Sequence, residues 1–96
     1  METSITLESR VRLSSEVLFQ ELQGEAVLLN LSTGVYLGLD ATGTRIWQLM
    51  EADGSLRKVL DAMLAEYNVS EELCAADLLK LVAKMQENGL LEVSPS

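Results

Sequence analysis

The chain has 96 residues, 48% of them hydrophobic and 23% charged, with seven Lys and Arg against fifteen Asp and Glu and a net charge of −8. That length and composition describe one globular domain with a single core; no apolar run approaches the ~20 residues that span a bilayer, and the N-terminus lacks the basic and apolar regions of a secretory signal, so no membrane is expected and the cytoplasm is the expected compartment. The acidic balance repels phosphate backbones, so no nucleic-acid partner is expected, and a chain with no His and only Cys74 offers no zinc site, no disulfide and no Cys–His or Ser–His pair, which makes it a binding domain, not an enzyme, with no metal and no cofactor expected.

Residues 1–9 are polar and mixed and read as a flexible arm that can lie extended against the body. A single domain is expected over residues 10–93, with 94–96 as a tail. From Arg10 the pattern has period two: Val11–Leu13 alternates weakly, and Val17–Leu22, Ala26–Leu31 and Val35–Leu39 read as strands. Gln23-Gly24 and Ser32-Thr33-Gly34 separate them as turns. The period then changes to 3.6. Asp40 caps a helix over about Ala41–Ala52 with Ile46, Leu49 and Met50 inward and Trp47 beside them, and Gly54 is expected to end it as a left-handed residue. Ser55 caps a second helix with Leu56, Val59, Leu60, Met63, Leu64 and Tyr67 on one face. Ser70 caps a third, with Glu71 and Glu72 in the first turn and a stripe of Cys74, Leu78, Leu81, Val82 and Met85. Asn88-Gly89 stops it, and Leu90–Val93 reads as a short final strand. Strands followed by helices make the fold α+β, with the outline of a winged helix-turn-helix.

Two features exceed what folding alone requires. The strand Val35–Leu39 ends the meander, so it is a sheet edge of about 16 Å unless the final strand or the arm covers it. It lacks the Lys and Pro that usually block edges, and Gly38 either admits another backbone or only relieves crowding against a helix. The third helix has an apolar arc of about 220°, widened by Ala75, Ala76, Leu79 and Ala83, with Asp77, Lys80 and Lys84 on the opposite flank. A free edge beside such a helix is the geometry for adding a peptide strand.

The stretch GEAVLLNLSTGVYLGLDATGTRIWQLM (Gly24–Met50), followed by AADLLKLVAKMQENGLLEV (Ala75–Val93), resembles the PqqD family, the recognition elements of ribosomally made, post-translationally modified peptides. The resemblance rests on Gly34, Tyr36, Leu39, Asp40, Thr42, Ile46, Trp47, Leu49, Asp77, Leu78, Leu81, Met85, Gly89 and Leu90 in that order, over roughly residues 10–93. It implies a winged-helix-like domain, with a three-stranded antiparallel sheet followed by three helices and a short C-terminal strand. It also implies a chaperone that binds the leader of a precursor peptide and presents it to a modifying enzyme such as a radical SAM protein or a lasso-type protease. Its wording is closer to the stand-alone lasso-type domains than to the quinone-pathway protein. Carried over, the peptide contacts fall on Val35, Tyr36, Leu37, Gly38 and Leu39, and on Asp77, Lys80, Leu81 and Lys84 of the third helix. The family pattern supports the Asp77 flank of that helix, whereas the apolar excess points to Leu79. The outline also fits a winged-helix DNA-binding or regulatory module, although Lys80 and Lys84 are that helix's only cations, flanked by Asp77 and Glu87. An uncovered edge permits either a monomer or a strand-exchanged dimer.

Overall fold

In the computed structural model, residues 5–94 are described. Their elements follow as β1 (Arg10–Leu13), β2 (Val17–Leu22), β3 (Glu25–Asn30), β4 (Tyr36–Leu39), α1 (Ala41–Ala52), α2 (Leu56–Glu66), α3 (Glu71–Glu87) and β5 (Leu91–Ser94). The α+β architecture expected from the change of period is the one observed. β2, β3 and β4 form an antiparallel meander in that order, and β1 pairs with β5 in a separate two-stranded ribbon. The final strand therefore joins β1, with Val11 opposite Val93 and Leu13 opposite Leu91. It does not cover β4.

Period two sets the two faces of the meander. Ala26 and Leu28 on β3 and Leu39 on β4 are buried against the helices, with Phe19 of β2 and Leu37 of β4 packed beside them. The helices bury Ile46, Trp47 and Met50 from α1, Leu56, Val59, Leu60 and Met63 from α2, and Leu78, Val82 and Met85 from α3. The described part of the N-terminal arm lies on this body: Ile5 and Leu7 pack on the core, and Ser9 is buried, its carbonyl accepting from the Leu56 amide. Residues 1–4 of the arm lie outside the described residues, as do Pro95 and Ser96 of the tail, whose Ser94 pairs with Arg10 in β5.

All three expected helix caps form. The side chains of Asp40, Ser55 and Ser70 accept from the backbone amides of Gly43, Lys58 and Leu73. The end of α1 differs from expectation. Gly54 is not left-handed: the positive-φ glycines are Gly24, Gly34 and Gly89, and the C-cap is Asp53 in an extended conformation. Gly54 is instead the point where β1 crosses the α1–α2 turn. The Val11 amide donates to its carbonyl at 2.8 Å, and a Cβ on Gly54 would stand 2.4 Å from the Val11 carbonyl oxygen.

One buried polar residue ties the sheet to α3. Asn30 Nδ2 donates to the carbonyls of Asn88 and Gly89 at 3.0 and 3.3 Å, and Asn30 Oδ1 accepts from the amides of Ser32 and Thr33. The β3–β4 turn and the C-terminus of α3 are thus held by the same amide. Asn30→Ala leaves those buried groups unpaired and is expected to cost about 2–3 kcal/mol, read as a lower midpoint in urea with an unchanged slope; a midpoint equal to the parent's would show that water replaces the clamp.

Candidate functional site

The site is built around β4, which pairs with β3 and with no other strand among the described residues. Which of its backbone groups are open follows from the ladder. The Asn30 amide donates to the Val35 carbonyl at 2.8 Å, so Val35 faces β3. In an antiparallel ladder the direction alternates residue by residue. Leu37 and Leu39, opposite Leu28 and Ala26, therefore spend their backbone groups on β3, and Tyr36 and Gly38 present their N–H and C=O to the free edge. Val35 itself lies before the strand, and its amide donates to the Thr33 hydroxyl at 3.2 Å. The strand is thus one residue shorter than the expected Val35–Leu39, because the turn consumes Val35.

A groove of about 520 Å³ opens beside this edge, lined by Gly38, Leu39, Asp40, Thr42, Gly43, Ile46, Asp77 and Leu81. Four of the expected contact residues meet here: Gly38 and Leu39 from the strand, Asp77 and Leu81 from α3. Tyr36 stands exposed on the outer side of the sheet, and Leu37 packs into the core beneath it. Lys80 and Lys84 are exposed on α3 and are not among the groove's lining residues. Leu79 and Leu81 of α3 both pack on the core, and only the flank with Asp77 and Leu81 also lines the groove. The charged lining, Asp40 and Asp77, is acidic, which gives the DNA-binding alternative no support.

The sequence reading missed the floor of the groove. Asp40, Thr42, Gly43 and Ile46 come from the N-terminal turns of α1, which packs on β4 and on α2. Its signal was present as the Asp40 cap, which starts α1 directly after β4 and so lays its first turns beside the edge.

A second, more apolar cavity of about 180 Å³ adjoins the first and shares Thr42, Ile46 and Asp77 with it. Met63, Tyr67, Val69, Leu73 and Cys74 complete it. Burial, and then the nearby Asp77 charge, push the Cys74 thiol above its ordinary range, so it is a poor nucleophile at neutral pH. Near the same end of α2, Arg45 of α1 grips Glu66 through two bonds of 2.8 and 2.7 Å. That hydrogen-bonded guanidinium holds the Glu66 carboxyl below the usual range, so the tie is present at neutral pH and is lost as acid protonates Glu66. Among the described residues no group of His, Cys, Asp and Glu is placed to hold a metal ion, and no helix is long and apolar enough to cross a membrane.

Comparison with solved structures finds the same fold in proteins bound to peptides. One, "TbiB1 in Complex with the TbiA(beta) Leader Peptide", is 38% identical, covers 84% of this chain and 94% of that one, and superposes with a TM-score of 0.79. Another, "Lasso peptide synthetase B1 complexed with the leader peptide", is 28% identical over 86% and 98% of the two chains, with a TM-score of 0.76. No curated protein matches the sequence. The family model described as coenzyme PQQ synthesis protein D (PqqD) matches residues 25–91. With β3, β4, all three helices and the start of β5 inside that match, this chain belongs to the PqqD family.

Proposed function

We propose that this domain captures the leader of a ribosomal precursor peptide as an added strand on β4 and presents it to the enzyme that processes the peptide. The observation that carries this reading is the free edge of β4 over a groove floored by α1 and walled by α3. A peptide strand laid there pairs its backbone with Tyr36 and Gly38, and alternate side chains enter the groove between Leu39, Ile46 and Leu81. The site supplies pairing and apolar contact and leaves the chemistry to a partner, so the domain acts as a chaperone and not as an enzyme. The neighbour described as a lasso peptide synthetase B1 favours the lasso-type branch, for which the family resemblance implies a lasso-type protease as the partner. Val35, Lys80 and Lys84 play a lesser part in this reading, because their backbone or side-chain groups lie away from the groove.

Titrating ¹⁵N-labelled protein with the TbiA(beta) leader, and with the leader of its own precursor, is expected to move the amides of Tyr36, Gly38, Thr42 and Asp77. Shifts confined to β1 and β5 would refute the assignment. Cys74 gives an independent readout, because it is the only thiol in the chain and lines the cavity next to the groove. Leader binding is expected to slow its alkylation at alkaline pH at least about fivefold, by closing the route to the cavity. An unchanged rate would mean that the peptide stops short of this pocket.

A further inference from the structure

A strand added to β4 turns half of its side chains into the groove and the other half onto the opposite face of the sheet. A second concavity lies where that other half arrives. It measures about 440 Å³ and shares Gly38, Leu39 and Asp40 with the groove. Beyond the edge it is lined by Val27, Glu25 and Leu22. The register explains its position. Val27 stands opposite Gly38, and Glu25 stands opposite Leu22 one row further along, so all four turn outward, away from the helices. Gly38 carries no side chain, and nothing lies within 4 Å of the place a Cβ would occupy. The outer row is therefore open from the free edge to Val27.

Reach and charge set what fits there. Opposed residues in a sheet share a face, so the leader residue opposite Gly38 directs its side chain outward, over the glycine. Strands lie about 4.8 Å apart, which places that residue roughly 10 Å from β3. Only a long side chain crosses that gap toward Glu25. On the way it meets Val27, which is 43% exposed and apolar. At the far end it meets the carboxylates of Glu25 and Asp40. Among the described residues neither carboxylate pairs with a cation, and no Lys or Arg occurs between Leu13 and Thr44. Lys and Arg match both demands, because their aliphatic stems lie along apolar surface while the charged head stays in water.

We propose that this outer concavity is a second specificity subsite for the leader, one that selects Lys or Arg at the residue opposite Gly38. This rests on the leader-binding reading above. The added strand is then read from both faces. The helix-side groove takes apolar side chains, and the outer side checks for a cation. Gly38 gains a role beyond close backbone approach, since a large side chain there would stand where the stem of the cation passes.

The test scans the leader of the chain's own precursor, with the TbiA(beta) leader scanned in parallel. Each position is replaced in turn by Lys and by Glu, and binding is measured to the full chain and to its Glu25→Lys variant. Fluorescence of the single Trp47, which is buried, checks that the variant is folded. Proton contacts from the leader to the Gly38 α-protons identify the position opposite that glycine. There the parent is expected to bind the Lys peptide at least about fivefold more tightly than the Glu peptide at low salt, a preference that shrinks as salt is raised. Glu25→Lys is expected to reverse the order at that position alone. Uniform weakening of every peptide by Glu25→Lys would give Glu25 a structural role and overturn the subsite. Equal preferences in the two proteins would overturn it too. So would a preference that Asp77→Asn abolishes and Glu25→Lys leaves intact, because the groove would then be reading the charge. In each of these cases leader binding itself stands. If neither unmodified leader binds the parent, the leader-binding reading falls first and the subsite with it.

Discussion

Gly38→Pro is expected to weaken leader capture roughly 5- to 150-fold while leaving the domain folded. The N–H of Gly38 points to the free edge of β4, so proline removes no bond from the β3–β4 ladder. Proline is tolerated on an edge strand in this orientation, and the φ of Gly38 is not positive. The incoming peptide, by contrast, loses a donor and meets a ring where it must approach closely. A backbone carbonyl left unpaired in this way costs about 1–3 kcal/mol, which is roughly a 5- to 150-fold loss of affinity. Gly38→Ala is the control: nothing lies within 4 Å of the Cβ it would add, so both stability and pairing are expected to survive. Leader affinity by calorimetry, with thermal melting of both variants, checks the pair. Parent-like binding by a folded Gly38→Pro variant would show that the leader does not pair with this edge.

Gly54→Ala is expected to have the larger effect on folding. Its Cβ would stand 2.4 Å from the Val11 carbonyl oxygen, a distance at which something must move. The obstacle is backbone in β1, held on one side by β5 and on the other by the Val11–Gly54 hydrogen bond and the bridge from Arg10 to Ser55. No side chain can swing aside to relieve it. Overpacking against fixed backbone is expected to cost about 3 kcal/mol, a fall in Tm on the order of 15 °C for a domain of this size. The same substitution at Gly38 costs little, so the two alanines separate a glycine needed for packing from one that leaves an edge accessible. A Gly54→Ala melt within a few degrees of the parent would mean that β1 shifts without resistance.

Much of the fold was legible along the chain. The change from period two to 3.6 near Asp40, the caps Asp40, Ser55 and Ser70, and the stop at Asn88-Gly89 are local signals, and each sits where the structure has it. Local signals failed where a partner distant in sequence decided the outcome. Gly54 looked like a left-handed helix terminator, but the role of a glycine after a helix depends on what crosses it, and here that is β1. Asn30 looked like an ordinary strand residue, because its four bonding partners lie in a turn and at a helix end 58 residues away.

For the site, the sequence by itself determined the components: an unblocked strand with Gly38, a third helix with both an apolar and a charged flank, and the family pattern that joined them. Only the tertiary structure decided their arrangement. It sent β5 to β1, which left the β4 edge open; it turned Asp77 and Leu81 to the groove and Leu79 to the core; and it laid the first turns of α1 as the floor. The physical reason is that hydrogen bonding and periodicity act over a few residues and can be read along the chain. Which strand finds which partner, and which side of a helix meets a groove, depends on how distant apolar surfaces fit together.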